Sequence, residues 1–132
     1  MNPKLSKVSA SYVLRSINDF DKKGIDQCLN ELGFKNSTHY LLKYKSNLYP
    51  SKAVIGHAYN LQFPNLIKTN HINISGGINK GHAAYCLIKL GFTIVDSQGK
   101  AITLMSSGNK ITDNKPNKTN IDNLETYKKK DN

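Results

Sequence analysis

His39-Tyr40-Leu41-Leu42-Lys43-Tyr44-Lys45-Ser46-Asn47-Leu48-Tyr49-Pro50-Ser51-Lys52-Ala53 decides the fold class, because its rule of construction changes within one short stretch. The first six residues are rich in strand formers. Lys45-Ser46-Asn47 is turn-like, and Leu48-Tyr49 returns as a second strand. Pro50 then sits where a helix begins. A helix is expected from about Ser51 to Leu61, with Ala53, Val54, Ala58 and Leu61 on its buried side. A hairpin that runs directly into a helix points to an α+β domain. Alternation along the first strand puts Tyr40, Leu42 and Tyr44 on one face, and Leu41, Lys43 and Lys45 on the other.

Upstream, Val13, Leu14, Ile17 and Phe20 form an apolar stripe at helical spacing, so a helix is expected over about Ser9 to Lys23. Gly24 breaks it. A second helix, Ile25 to Leu32, carries Ile25, Cys28, Leu29 and Leu32 inward, and Gly33 closes it. Downstream, residues 62–74 read as a loop, and Ser75-Gly76-Gly77 interrupts the chain. A fourth helix is expected from about Asn79 to Leu90, burying Ala83, Ala84, Leu87, Ile88 and Leu90. Gly91 ends it, and Phe92-Thr93-Ile94-Val95 reads as a strand. Cys28-Leu29-Asn30-Glu31-Leu32-Gly33-Phe34 echoes Cys86-Leu87-Ile88-Lys89-Leu90-Gly91-Phe92. Shared capping chemistry explains the echo: a glycine at positive φ, then an apolar residue packing back on the helix.

The expected architecture is a small single α+β domain over residues 1–95, with about four helices and a short antiparallel sheet. Ala101 to Met105, within 96–108, supplies a further edge strand. Residues 109–132 hold almost no apolar side chains and are expected to form a disordered polar tail or linker.

The 132 residues carry a formal net charge of +10, from 19 Lys+Arg against 9 Asp+Glu. Residues 1–95 hold 12 of those cations and 4 of the acids, so the excess belongs to the part expected to fold. A basic folded surface attracts phosphate backbones through counterion release. A general lysine bias is the plainer alternative, since 18 of the 19 cations are lysine. No apolar run approaches the roughly 20 residues of a membrane span. The start of the chain lacks the apolar core of a secretory signal, so a cytoplasmic protein with no membrane contact is expected.

Catalytic constellations are thin. Before Asp96 the carboxylates are Asp19, Asp21, Asp26 and Glu31, without metal-nuclease spacing. His39, His57, His71 and His82 are scattered, with no paired-histidine motif and no cysteine partner. Cys28 and Cys86 sit in apolar helical patterns and are expected as small buried hydrophobes rather than a disulfide. No metal, no cofactor and no enzymatic activity are expected.

Two segments point to anion binding. Ser51 and Lys52 lie at a helix start, where free N–H groups and the helix dipole favour anions, and His57 follows on the same helix. Ser51 as a helix cap is the alternative. Ser75, Gly76 and Gly77 precede a helix bearing Asn79, Lys80 and His82, and glycines let backbone N–H groups approach an oxyanion. A turn capped by Ser75 is the competing reading. The spacing is not that of a Walker loop or a dinucleotide fingerprint. Lys43, Lys45 and Tyr49 complete the candidate nucleic-acid-binding set, because interleaved aromatics and cations stack bases and grip backbones. Buried tyrosines are the alternative, favoured for Tyr40.

Leu32-Gly33-Phe34, Tyr40, Tyr49-Pro50-Ser51-Lys52-Ala53, Ser75-Gly76-Gly77 and Leu90-Gly91-Phe92, in that order, resemble the N-terminal head domain of ScoMcrA-like restriction endonucleases. The resemblance covers roughly residues 8–95. Those enzymes are modification-dependent and end in an HNH nuclease domain, whose metal-binding His and Asn motif is missing here. The resemblance implies a restriction or defence setting and an accessory, DNA-associated role. DNA is the expected partner. The alternatives are a protein-interaction module that docks a nuclease subunit or forms a homodimer, and a phage-encoded decoy or inhibitor.

Overall fold

The computed structural model describes residues 3–36 and 39–104. Four helices, α1 (Ala10–Lys23), α2 (Ile25–Leu32), α3 (Ser51–Gln62) and α4 (Ala83–Lys89), pack with three strands, β1 (Leu41–Tyr44), β2 (Asn47–Pro50) and β3 (Thr93–Val95). The sheet is antiparallel throughout, in the order β2-β1-β3. A 3-10 turn over Leu5–Lys7 precedes α1. The α+β class, the helix number and the antiparallel sheet match the sequence reading.

The hairpin register pairs Tyr44 with Asn47 and Leu42 with Tyr49. Asn47 therefore belongs to β2, and the turn is Lys45-Ser46 alone. Both turn residues have positive φ, 50° and 71°. That is the geometry of a two-residue hairpin turn, whose twist matches the right-handed twist of the strands it joins. Leu42 also pairs with Ile94 across β3. Leu42, Tyr49 and Ile94 are buried on one face, whereas Lys43 and its partner Leu48 are exposed on the other.

Helix α3 lies between α1 and α4. This position explains why it is buried nearly all round, including Val54, Ile55, Gly56 and Tyr59, rather than along a single stripe. Leu61, expected inside, is 37% exposed, whereas its neighbour Gln62 turns to the start of α1 and accepts from Ser9 N–H at 2.9 Å. Between α1 and α3, the buried Ser16 donates its hydroxyl proton to the Val54 carbonyl at 2.7 Å. Close approach also occurs at Gly56, where a Cβ would stand 2.5 Å from Phe34 Cζ and 2.8 Å from Thr69 Oγ1.

The echoed segments share one structure. Gly33 and Gly91 have φ of 76° and 102°. In each copy the N–H of the following phenylalanine reaches the carbonyl five residues back, Phe34 to Leu29 and Phe92 to Leu87, both at 3.0 Å. This is the Schellman closure, and both phenylalanines are buried. Cys28 and Cys86 are free and buried. Burial raises both thiols, Cys86 to about 11, which keeps them protonated and unreactive.

Two expected boundaries move. Helix α4 begins at Ala83 and not at Asn79. Gly81 has φ of 86°, outside the helical region, and the carbonyls of Ser75 and Gly77 accept from Ala83 N–H (2.7 Å) and Tyr85 N–H (3.2 Å). The expected strand from Ala101 shrinks to one bridge between Val95 and Ala101. The Asp96 carboxylate accepts from the N–H groups of Gln98 and Lys100, both at 2.9 Å, and turns the chain. Those bonds hold its carboxyl below the usual range. Ile102 N–H then reaches the Ile94 carbonyl. Met105 and the tail expected over 109–132 lie outside the described residues.

Candidate functional site

Three of the candidate side chains are engaged by the fold. Tyr49 is 4% exposed, and its hydroxyl donates to Asp21 Oδ1 at 2.7 Å. Burial, then that bond, pushes its phenol up to about 12. Ser51 is buried and does not cap α3. Its hydroxyl donates to the Tyr40 carbonyl at 2.7 Å, tying the helix start to the chain entering β1. His57 faces α1, with Nε2 2.8 Å from Asp19 Oδ2 and the ring edge toward Phe20. Its Nδ1 is buried without a hydrogen-bond partner. Tyr49 and His57 therefore tie the hairpin and α3 to the carboxylates of α1, and Ser51 ties the α3 start to the chain entering β1.

Lys43 and Lys45 are exposed, Lys43 on the solvated sheet face and Lys45 in the hairpin turn. The Lys45 ammonium lies 5.7 Å from the Tyr44 ring centre.

Lys52 is placed differently from an ordinary surface lysine. It is half-buried, and its ammonium donates to the His71 carbonyl. Its aliphatic stem runs along Gly76, where a Cβ would meet Lys52 Cδ at 3.4 Å. The His71 N–H and its Nδ1 both lie 3.3 Å from the Gly33 carbonyl. Those contacts bind the 71–76 loop to the end of α2 and to the start of α3.

The loop preceding these contacts is built by side chains. Thr69 Oγ1 donates to the Gly56 carbonyl at 2.8 Å, and Thr69 N–H reaches Asn60 Oδ1 at 2.8 Å. Asn70 Oδ1 accepts from the N–H groups of Ile72 and Asn73, forming an Asx-type turn. A stretch without hydrophobic periodicity thus holds a fixed shape.

These connections enclose an open cleft of about 290 Å³. One wall is Lys35, Asn36, His39 and Tyr40. The opposite wall is Ser51 and Lys52 at the α3 start, closed by His71 and Gly76. No carboxylate lines it among the described residues, and neither Lys35 nor Lys52 is ion-paired there. Burial, and then the charge of Lys35, lowers the Lys52 ammonium from its ordinary range. Two cations sharing a depression without a counter-charge create a positive potential that attracts an anion.

Lys35, Asn36, His39, Tyr40 and His71 were outside the candidate set read from sequence. Lys35, Asn36, His39 and His71 lie in loops, where no periodicity marks them, and Tyr40, just before β1, falls by alternation on the face of Leu42 and Tyr44. The one local signal was the Gly33-Phe34 helix closure, which fixes where Lys35 leaves the helix.

Ser75, Gly76, Gly77, Asn79, Lys80 and His82 divide between two places. Gly76 lines the cleft. Gly77 packs near the His82 ring, and Ser75, Asn79 and Lys80 are exposed. The carbonyls of Ser75 and Gly77, rather than their N–H groups, meet the α4 start. Lys80 lines a separate groove of about 360 Å³ between the 3-10 turn and α4, floored by Leu5, Val8 and Cys86. The cleft and this groove have no lining residue in common.

Among the described residues, no cluster of three or more His, Cys, Asp or Glu side chains could hold a metal ion. No helix there is long and apolar enough to cross a membrane. The family model described as ScoMcrA-like, N-terminal head domain, matches residues 6–96. No curated protein and no solved structure matches the chain.

Proposed function

Because the chain belongs to the ScoMcrA-like N-terminal head domain family, associated with modification-dependent restriction systems, we propose that it is a non-catalytic accessory module of such a system that meets DNA through a basic surface. The observation that carries this reading is the cleft, in which Lys35 and Lys52 face solvent without a carboxylate between them among the described residues. The charge excess over residues 1–95 supports it, because a folded cationic surface binds phosphates with a fixed geometry. Lys43, Lys45 and Lys80 are the further exposed cations of the candidate set. The family model that matches is that of an N-terminal head domain, which supports an accessory role.

Fluorescence anisotropy with a labelled DNA duplex at low and high salt tests the proposal. Affinity is expected to fall steeply with salt, with a log–log slope of roughly 0.9 per phosphate contacted. Lys52→Glu with Lys80→Glu is expected to weaken binding. Absence of binding at low salt removes the proposal. A second reading is a protein-docking module, favoured by Leu66 (54% exposed), Ile67 (50%) and Ile72 (81%) on the loop between α3 and α4. Light scattering after size exclusion, alone and with a partner nuclease subunit, separates that reading from the first.

A further inference from the structure

We infer that the cleft lined by Lys35, Asn36, His39 and Tyr40, the start of α3 and the 71–76 loop is a site for a single nucleoside phosphate, with the phosphate between Lys35 and Lys52 and the nucleoside against Tyr40 and His39. This rests on the DNA-facing reading and narrows it from a basic surface to one built pocket.

Three observations support the assignment. The first is that Lys52 is held in place. An ammonium has three N–H donors. One is given to the His71 carbonyl, and the stem is packed along Gly76. The remaining donors belong to a cation whose position is set before any ligand arrives, which lowers the ordering cost of binding. The second is charge. Lys35 stands across the cleft as a second cation, and no carboxylate lines the walls among the described residues. Two like charges in one depression repel, and an anion between them relieves that repulsion. Phosphate oxygens suit the arrangement, because charge-assisted hydrogen bonds to them are strong.

The third is size. At about 290 Å³ the cleft lies at the lower end of the ~300–1,000 Å³ range of small-molecule sites. It accommodates one nucleotide and excludes a base-paired duplex. Tyr40 and His39, both carrying aromatic rings, lie on the wall that carries Lys35, and aromatic faces accept any base. A DNA strand reaches such a pocket only with a terminal or unpaired nucleotide. The shared chemistry is a nucleoside phosphate, and its two sources are a free nucleotide and a strand end.

Isothermal titration of the full chain with deoxyadenosine monophosphate, deoxyadenosine and a 5′-phosphorylated hexanucleotide tests the site. The monophosphate is expected to bind about tenfold or more tighter than the nucleoside. The hexanucleotide binding more tightly than the monophosphate identifies a strand end as the ligand. The reverse order identifies a free nucleotide. Lys35→Ala removes an exposed cation with no ion pair and is expected to lower monophosphate affinity about tenfold. Lys52→Met keeps the stem against Gly76 and should lower it at least as far. Lys22→Ala, an exposed cation on α1, should bind as the parent does. Equal affinity for monophosphate and nucleoside, or no binding of either, overturns the inference. So does a Lys22→Ala loss equal to that of Lys35→Ala. Duplex binding that persists while monophosphate binding is absent refutes the pocket and leaves the DNA-facing reading standing. Monophosphate binding without duplex binding does the opposite.

Discussion

Replacing Gly56 by alanine tests how the fold supports the cleft. Gly56 lies in the middle of α3 and is buried. A Cβ there would stand 2.5 Å from Phe34 Cζ, 3.1 Å from Phe34 Cε2 and 2.8 Å from Thr69 Oγ1. Neither neighbour yields freely. Phe34 is 6% exposed and is fixed by the Schellman closure behind it, and Thr69 Oγ1 is bonded to the Gly56 carbonyl at 2.8 Å. Overpacking of this kind costs about 1–3 kcal/mol. Displacing Thr69 loses a buried hydrogen bond of about 1 kcal/mol. Alanine gains back about 1 kcal/mol in helix propensity. The expected net loss is about 2 kcal/mol, so the urea midpoint should fall by about 1 M at a slope of roughly 2 kcal/mol/M. Circular dichroism during urea unfolding measures it. Phe34→Leu should make room for the new methyl, so the double variant should be more stable than the two single losses added together. An unchanged or raised midpoint for Gly56→Ala, or strict additivity with Phe34→Leu, would refute the close-approach argument. Because Phe34 precedes Lys35 and Thr69 lies two residues before His71, the substitution should also disturb both walls of the cleft.

Two further expectations concern polar groups inside the fold. Ser16→Ala removes the 2.7 Å bond to the Val54 carbonyl between α1 and α3 and should lower unfolding free energy by about 1 kcal/mol, measured in the same urea experiment. Tyr49, raised to about 12 from an ordinary 10.0, binds its proton more tightly folded than unfolded. Its contribution to stability is therefore complete below pH 10 and lost as the pH rises towards 12. Phenolate absorbance should show a late-titrating component near pH 12 that Tyr49→Phe diminishes.

The sequence by itself determined the elements and their order. Helix α2 was legible to the residue, because its apolar stripe is local and Gly33 marks its end by backbone stereochemistry. The hairpin was legible because strand formers flank a turn, and Pro50 marks the change to helix. The Gly33-Phe34 and Gly91-Phe92 echo correctly announced one closure used twice. The start of α4 was missed because Asn79-Lys80-Gly81-His82 holds no apolar residue to mark a helix face, and Gly81 leaves the helical region. The placement of net charge on residues 1–95 also needed only the sequence.

Tertiary structure alone decided the destination of each polar side chain. Tyr49, Ser51 and Lys52 are near neighbours in sequence, yet they reach Asp21, the Tyr40 carbonyl and the His71 carbonyl. His57 reaches Asp19, on another helix. Hydrophobic periodicity tells which face of an element turns inward, since burial averages over many residues. A hydrogen bond depends on the position of two particular atoms, brought together by packing between elements distant in the chain. The cleft is assembled by such bonds from three separated segments, so its lysines became a pair only when the chain folded.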